Sequence, residues 1–177
     1  MGTYLIVGAD RGIAEAMCLQ LCERGEKVIA TCFDDSSTLT EKGVQVETGI
    51  DVTSDAAVQS FAQRLVGTHV DVLINVAGIY LDDDLDKLNI TDVQRQLEVN
   101  ALGPLRVVHA FQSYLDQGSK VGIVTSRMGS LADNTSGRLY GYRMSKAAAN
   151  MLGVSLAQDL KDRGIAVASE RMVLSRR

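Results

Sequence analysis

The sequence predicts a doubly wound α/β domain, a parallel sheet held between two layers of helices. Three observations carry this expectation. Short apolar runs alternate with amphipathic stretches along the chain, the order expected of strand–helix–strand units with right-handed crossovers. The first run ends in a glycine-rich turn that opens a helical pattern. Later runs end near Asp51, Asn75 and Ser126, polar residues at the carboxyl ends of strands, where open parallel sheets bind ligands.

Each element has its own signal. Thr3-Tyr4-Leu5-Ile6-Val7 reads as a buried strand closed by Gly8. A helical pattern covers 12–24 and stops at Gly25. Strands are expected at 27–33 and 44–48, a helix at 54–66 and a strand at 70–76. A turn of helix is expected near 82–88, and the acidic run Asp82-Asp83-Asp84 reads as a solvated loop. Long helices at 91–116 and 141–163 flank a strand at 120–126, and a sixth strand is expected at 165–169. A chain of 177 residues accommodates one such domain over 1–177.

Composition narrows the function classes. Hydrophobic residues make up 46% of the chain, yet no run is long enough to span a bilayer. A net charge of −4 gives no electrostatic reason to expect nucleic acid. The chain enters its first strand at once without a basic leader, so no secretory signal is expected. Cys18, Cys22 and Cys32 read as small hydrophobes, and without a His/Cys cluster no metal site is expected. A reducing, cytoplasmic setting follows.

The chemistry is concentrated in Tyr142-Arg143-Met144-Ser145-Lys146, where a phenol and an ammonium four residues apart share one helical face. A free phenol titrates near pH ~10 and is a slow acid at neutrality. A nearby ammonium should lower that value and fit the pair for proton exchange with an alcohol or carbonyl oxygen. Such a pair also arises by chance on solvated helices. The turn Gly8-Ala9-Asp10-Arg11-Gly12-Ile13-Ala14 lets the backbone approach a pyrophosphate at a helix N-terminus. A structural turn needing glycine only for positive φ is the competing reading.

In this order the motifs resemble those of the short-chain dehydrogenases/reductases, from the N-terminus to about Val167, and most of all the small C-factor-like carbonyl reductases. Gly8-x-x-x-Gly12-Ile13-Ala14 is similar to the family's glycine turn, with Ala14 in place of its last glycine. Asp51-Val52 resembles the pair that meets adenine, and Asn75-Val76-Ala77-Gly78 resembles Asn-Asn-Ala-Gly, departing at Val76. Asn100, Ser126, Tyr142 and Lys146 align with the family's catalytic residues. The resemblance implies a Rossmann-type six-stranded domain and hydride transfer between a nicotinamide cofactor and a small carbonyl or alcohol substrate. Ser126 would bind the substrate oxygen, Tyr142 would exchange the proton, Lys146 would hold the nicotinamide ribose, and Asn100 would order a water. Asn100 could equally satisfy backbone groups at an irregularity in a long helix. Ser130 competes with Ser126, which is favoured by its strand-end context.

Gly8, Arg11, Gly12, Ile13, Asp51, Val52, Asn75, Ala77, Gly78, Tyr142 and Lys146 are the implied cofactor contacts. Arg11 stands where relatives carry a base for the 2′-phosphate, so NADP(H) is favoured over NAD(H); Asp34 and Asp35 after the second strand argue the other way. Relatives also pack two long helices into a homodimer, and the apolar Met151, Leu152, Val154, Leu156 and Leu160 exceed what one stripe requires.

The pattern departs from the family after Val167. The sole proline is Pro104, so the family's later Pro-Gly turn and the substrate loop after it are not expected. A shortened, nucleotide-binding or interaction protein with little turnover is therefore the second reading, and a frameshifted fragment the third.

Overall fold

The computed structural model describes residues 1–34 and 37–172, with Ser37 and 170–172 as backbone only. Six parallel strands form one sheet: β1 (Thr3–Val7), β2 (Lys27–Thr31), β3 (Gln45–Glu47), β4 (Val72–Asn75), β5 (Lys120–Ser126) and β6 (Ala166–Met172). Their spatial order is β3-β2-β1-β4-β5-β6, so the chain reverses direction of winding between β1 and β4. The register there sets Val7 beside Asn75. The expected six-stranded, doubly wound parallel sheet is what forms.

Alternation along β1 builds two cores. Leu5 and Val7 join Phe61, Leu73 and Phe111 in one cluster, while Ile6 joins Cys18, Val28 and Leu39 in another. Successive strand side chains point to opposite faces, so one apolar strand serves both layers. Cys18 and Cys32 are fully buried, and burial pushes the Cys18 thiol up to about 12, with Cys32 and Glu15 adding to the rise. Both act as small core side chains, and Cys22 donates to the Lys42 carbonyl at 3.0 Å.

The helices are α1 (Gly12–Glu23), α2 (Ser37–Glu41), α3 (Asp55–Arg64), α4 (Ile90–Leu97), α5 (Gly103–Phe111) and α6 (Tyr140–Asp159). Three differ from the sequence reading. The helix expected over 91–116 is divided: a π turn at Glu98–Leu102 separates α4 from α5, with Pro104 in the first turn of α5 directly after it. The short α2 was not expected, since its polar sequence hides a single anchor, the fully buried Leu39. The last helix stops at Asp159 and continues as a 3₁₀ turn at Lys161–Arg163.

Strand ends also move. β2 stops at Thr31 instead of 33, because Phe33 and Asp34 donate their N–H groups to the Asp10 carboxylate. β6 runs to Met172, paired along β5 from Lys120↔Ala166 to Ser126↔Met172. No helix among the described residues is long and apolar enough to cross a membrane.

Candidate active site

The β1–α1 turn is built for a close backbone approach. Gly8 has φ +85°, and a Cβ there would lie 2.5 Å from the Ala77 Cα. Only glycine lets the turns after β1 and β4 touch in this way. Gly12 has φ +68° with nothing within 4 Å of where its Cβ would be, so the space in front of it is open. The N-cap residue Arg11 makes no side-chain bond to the start of α1, which leaves the helix's first amide donors and its dipole available there.

A cavity of about 1060 Å³ begins there and crosses the reversal between β1 and β4. Gly8, Arg11, Ile13, Asp51, Val52 and the Ala77-Gly78 pair line it. Gly12 and Asn75, also expected as cofactor contacts, do not. Gly12 lies between two lining residues, and Asn75 sits beneath the wall at 2% exposure. Both polar atoms of the Asn75 side chain are buried without a hydrogen-bond partner. Asp51 accepts from the Thr53 backbone and hydroxyl at 2.8 and 2.7 Å, which fixes the turn after β3. The open glycine cradle, the uncapped helix end and the cavity length fit an elongated dinucleotide.

Sequence reasoning missed Asp10 here. Its Oδ1 accepts from Phe33 N at 2.7 Å and Asp34 N at 2.9 Å, and Asp10, Phe33 and Asp34 all line the cavity. Its position inside the glycine turn was the available signal. Asp35 lies outside the described residues.

Asn100, Ser126, Tyr142 and Lys146 gather beyond the Gly78–Ile79 wall, outside the cavity lining. All are buried, at 1, 6, 8 and 4% exposure. A Cβ on Gly78 would lie 3.3 Å from Asn100 Oδ1 and 3.5 Å from Lys146 Nζ, so the cavity wall at Gly78 packs directly against that group. Ser126 is close enough to Tyr142 to draw its phenol pKa down, while Ser130 Oγ accepts from Asp133 N in its own loop at 3.3 Å. Tyr140, two residues before Tyr142, is 38% exposed.

The π turn presents Asn100 to two partners. Its Oδ1 accepts from Ile79 N at 2.7 Å, and its Nδ2 donates to Ile79 O and Ser145 Oγ, both at 2.9 Å. Ser145 in turn donates to the Tyr142 carbonyl at 2.8 Å. Thr125 and Asn150 join β5 to α6 at 2.8 Å. The close approach of Gly129 seals the joint, since a Cβ there would meet the Lys146 carbonyl carbon at 2.6 Å.

The electrostatics correct one expectation. Lys146 Nζ stands 5.7 Å from the centre of the Tyr142 ring and donates to the Val124 carbonyl at 3.0 Å. Burial raises the Tyr142 phenol above its ordinary 10; Ser126 pulls it partly back, and Tyr80 raises it further. Desolvation therefore outweighs any help from the ammonium. Burial also lowers Lys146 from 10.5 to about 8. A buried phenol that keeps its proton beside a hydroxyl donor and an easily deprotonated amine can pass a proton to an oxygen. Among the described residues no group of three His, Cys, Asp or Glu side chains could hold a metal ion.

Known proteins resemble this chain along most of its length. The short chain dehydrogenase family model matches residues 3–170. The chain is 49% identical over 169 residues to a 1-hydroxy-2-glutathionyl-2-methyl-3-butene dehydrogenase of Rhodococcus sp., covering 94% of this chain and 75% of that protein. It is 49% identical over 109 residues to the C-signal protein of Myxococcus xanthus, covering 60% of this chain and 66% of that one. An NADPH-bound carbonyl reductase from chicken fatty liver superposes with a TM-score of 0.86 at 25% identity, over 97% of this chain and 75% of that one.

Proposed function

This chain belongs to the short chain dehydrogenase family and is a nicotinamide-dependent oxidoreductase, and on that premise we propose that Asn100, Ser126, Tyr142 and Lys146 interconvert a small carbonyl compound and its alcohol. One observation carries this reading: the buried Tyr142 phenol has Ser126 near enough to pull its pKa down and Lys146 a helical turn away, and Gly78 of the cavity wall packs against Asn100 and Lys146. When bound, the nicotinamide supplies or accepts the hydride. Ser126 donates a hydrogen bond to the substrate oxygen as its charge develops. Tyr142 gives up its proton in reduction and takes it back in oxidation. Lys146 holds the ribose hydroxyls and returns the proton to Tyr142, a role suited by a pKa of about 8. Asn100 keeps Ile79 and Ser145 fixed around the pair.

The uncapped start of α1 takes the pyrophosphate, with Gly8, Gly12 and Ile13 supplying the backbone surface and Asp51 and Val52 the adenine end. Asn75, Ala77 and Gly78 shape the wall nearer the nicotinamide. We favour NADP(H) over NAD(H). Asp10 is occupied by two amides after β2, which leaves the exposed Arg11 as the cation beside it for a 2′-phosphate. Arg11→Glu should then weaken NADPH far more than NADH; equal losses would count against this preference.

The same reading extends to a cytoplasmic homodimer in which one domain carries both sites. Leu102, Leu105, Met151 and Val154 are large apolar side chains left 40, 42, 64 and 58% exposed, surface that an isologous interface would bury. A monomer in sedimentation at micromolar concentration would overturn the dimer. For the activity, NADPH and NADH are titrated by fluorescence, then turnover is followed with quinones, diketones, aldehydes and hydroxyalkyl glutathione conjugates, the last suggested by the Rhodococcus relative's name. Binding with turnover on any of these supports the reading. Nucleotide binding with no turnover across the panel favours a binding protein instead.

A further inference from the structure

Asp83 was expected in a solvated acidic loop and is 5% exposed. Its carboxylate accepts from Tyr140 N at 2.5 Å and from Gly141 N at 3.0 Å, and its carbonyl accepts from Leu139 N at 2.9 Å. Three successive amides at the start of α6 thus end on one residue of the loop after β4. They are the orphan donors of a helix N-terminus, and the residue at the formal cap position, Leu139, supplies no side-chain bond.

The surroundings are fitted to this contact. A Cβ on Gly141 would lie 2.3 Å from Gln96 Nε2, 3.0 Å from Val93 Cα and 3.2 Å from Asp83 Oδ2, so a larger residue there would crowd the contact. Gln96 is fully buried and accepts from Leu81 N at 2.9 Å, fixing the same loop from the α4 side. Arg138 and Leu139 enter the helix with φ +57° each, a left-handed conformation that side-chain-bearing residues adopt only when their surroundings impose it. Arg138 Nη2 lies 3.5 Å from Asp82 and 3.6 Å from Asp84. The clamp is therefore Asp83 on the helix amides; the Arg138 pairs to Asp82 and Asp84 lie largely in solvent and add little.

We propose that Asp83 is a positioning residue for the proton-transfer pair, fixing the first turn of α6 so that Tyr142 meets Ser126 and Lys146 reaches Gly78. The inference rests on the proposed hydride-transfer reading. Tyr142 follows Gly141 directly, so a shift at the clamp passes to the phenol without an intervening turn. The dinucleotide cavity draws no lining residue from this junction at Asp83, Gly141 or Arg138. Loss of the clamp should damage proton transfer and spare nucleotide binding.

The test compares Asp83→Ala, Asp83→Asn and Asp82→Ala by kcat, KM, NADPH affinity and hydrogen–deuterium exchange. Asp83→Ala should lower kcat by about 10-fold or more, the scale of a small misplacement at a reacting centre, with NADPH affinity within about threefold. Exchange should rise in 139–146 and stay unchanged in 8–14. Asp83→Asn, which keeps one acceptor oxygen, should recover part of the rate, and Asp82→Ala should stay near wild type. Wild-type kcat in Asp83→Ala, or equal loss of kcat and NADPH affinity, would overturn the proposal. If Asp83→Ala does not fold, Asp83→Asn decides by the same two readouts. A wild-type protein that binds NADPH without turnover sinks the hydride-transfer reading alone; unchanged exchange at 139–146 in the variant sinks the clamp alone.

Discussion

Tyr80 lies edge-on to Tyr142, with ring centroids 5.1 Å apart and planes crossed at 68°. This is a favoured aromatic geometry, and it sets a half-exposed phenol over a buried one. Burial is the main cause of the raised Tyr142 pKa, and Tyr80 adds to it. Tyr80→Phe keeps the ring contact and removes the second ionisable group. Tyr142 should then titrate lower, closer to its ordinary value, in an ultraviolet tyrosinate titration referenced to Tyr142→Phe. An unchanged Tyr142 transition would show that the two phenols are not coupled.

Removing the Tyr142 hydroxyl gives the most direct reading of the proton step. Tyr142→Phe should reduce kcat by at least about 10²-fold with little change in nucleotide affinity, as expected when a general acid is lost. Tyr140→Phe is the matched control, since Tyr140 is 38% exposed against 8% for Tyr142, and should be nearly silent. Turnover within a few-fold of wild type in Tyr142→Phe would exclude it as the donor.

Local pattern and distant contact divide what the sequence reveals. β1 and β5 are readable to the residue, because each is an apolar run bounded by glycine or polar positions. β2 ends early for a reason 23 residues away, the Asp10 carboxylate. The expected irregularity around Asn100 exists as a π turn, and there the side chain does satisfy backbone groups, at Ile79. Asp83 is the clearest loss. A run of three acids looks solvated in isolation, and its burial depends on helix amides 57 residues further on. Reading the Tyr142–Lys146 spacing correctly likewise left the sign of the phenol's shift wrong, because desolvation is a property of the packed site.

Two glycines should separate binding from stability. Gly12→Ala meets no atom within 4 Å and should cost only the left-handed backbone strain, about 1–2 kcal/mol, while NADPH affinity falls because the methyl group enters the cradle. Gly129→Ala would press on Lys146 and Ala147 backbone atoms at 2.6–2.9 Å. Backbone cannot rotate away, so overpacking should cost about 1–3 kcal/mol and lower kcat through Lys146. Denaturant unfolding and NADPH titration on both variants check the contrast. A Gly12→Ala protein with wild-type affinity would remove the glycine turn from the nucleotide site.

Lys146 makes stability depend on pH in a window that can be stated with its sign. Lys146 is 4% exposed and its ammonium donates to a neutral carbonyl, and burial brings it from 10.5 to about 8. Below about pH 8 the folded protein carries a buried charge that the unfolded chain keeps in water, so folding bears a cost. Between about 8 and 10.5 the folded state has released the proton and the unfolded state still holds it. The unfolded chain then binds more protons, and stability rises with pH. Above 10.5 both states are neutral and the rise ends. The full change is on the order of 3 kcal/mol. Lys146→Met has no such group, so wild-type minus variant unfolding free energy should climb across this window, other titrations cancelling in the difference. A flat difference would mean that the ammonium stays hydrated in the folded protein, and Lys146 would lose the easy deprotonation that its proposed role in returning the proton to Tyr142 requires.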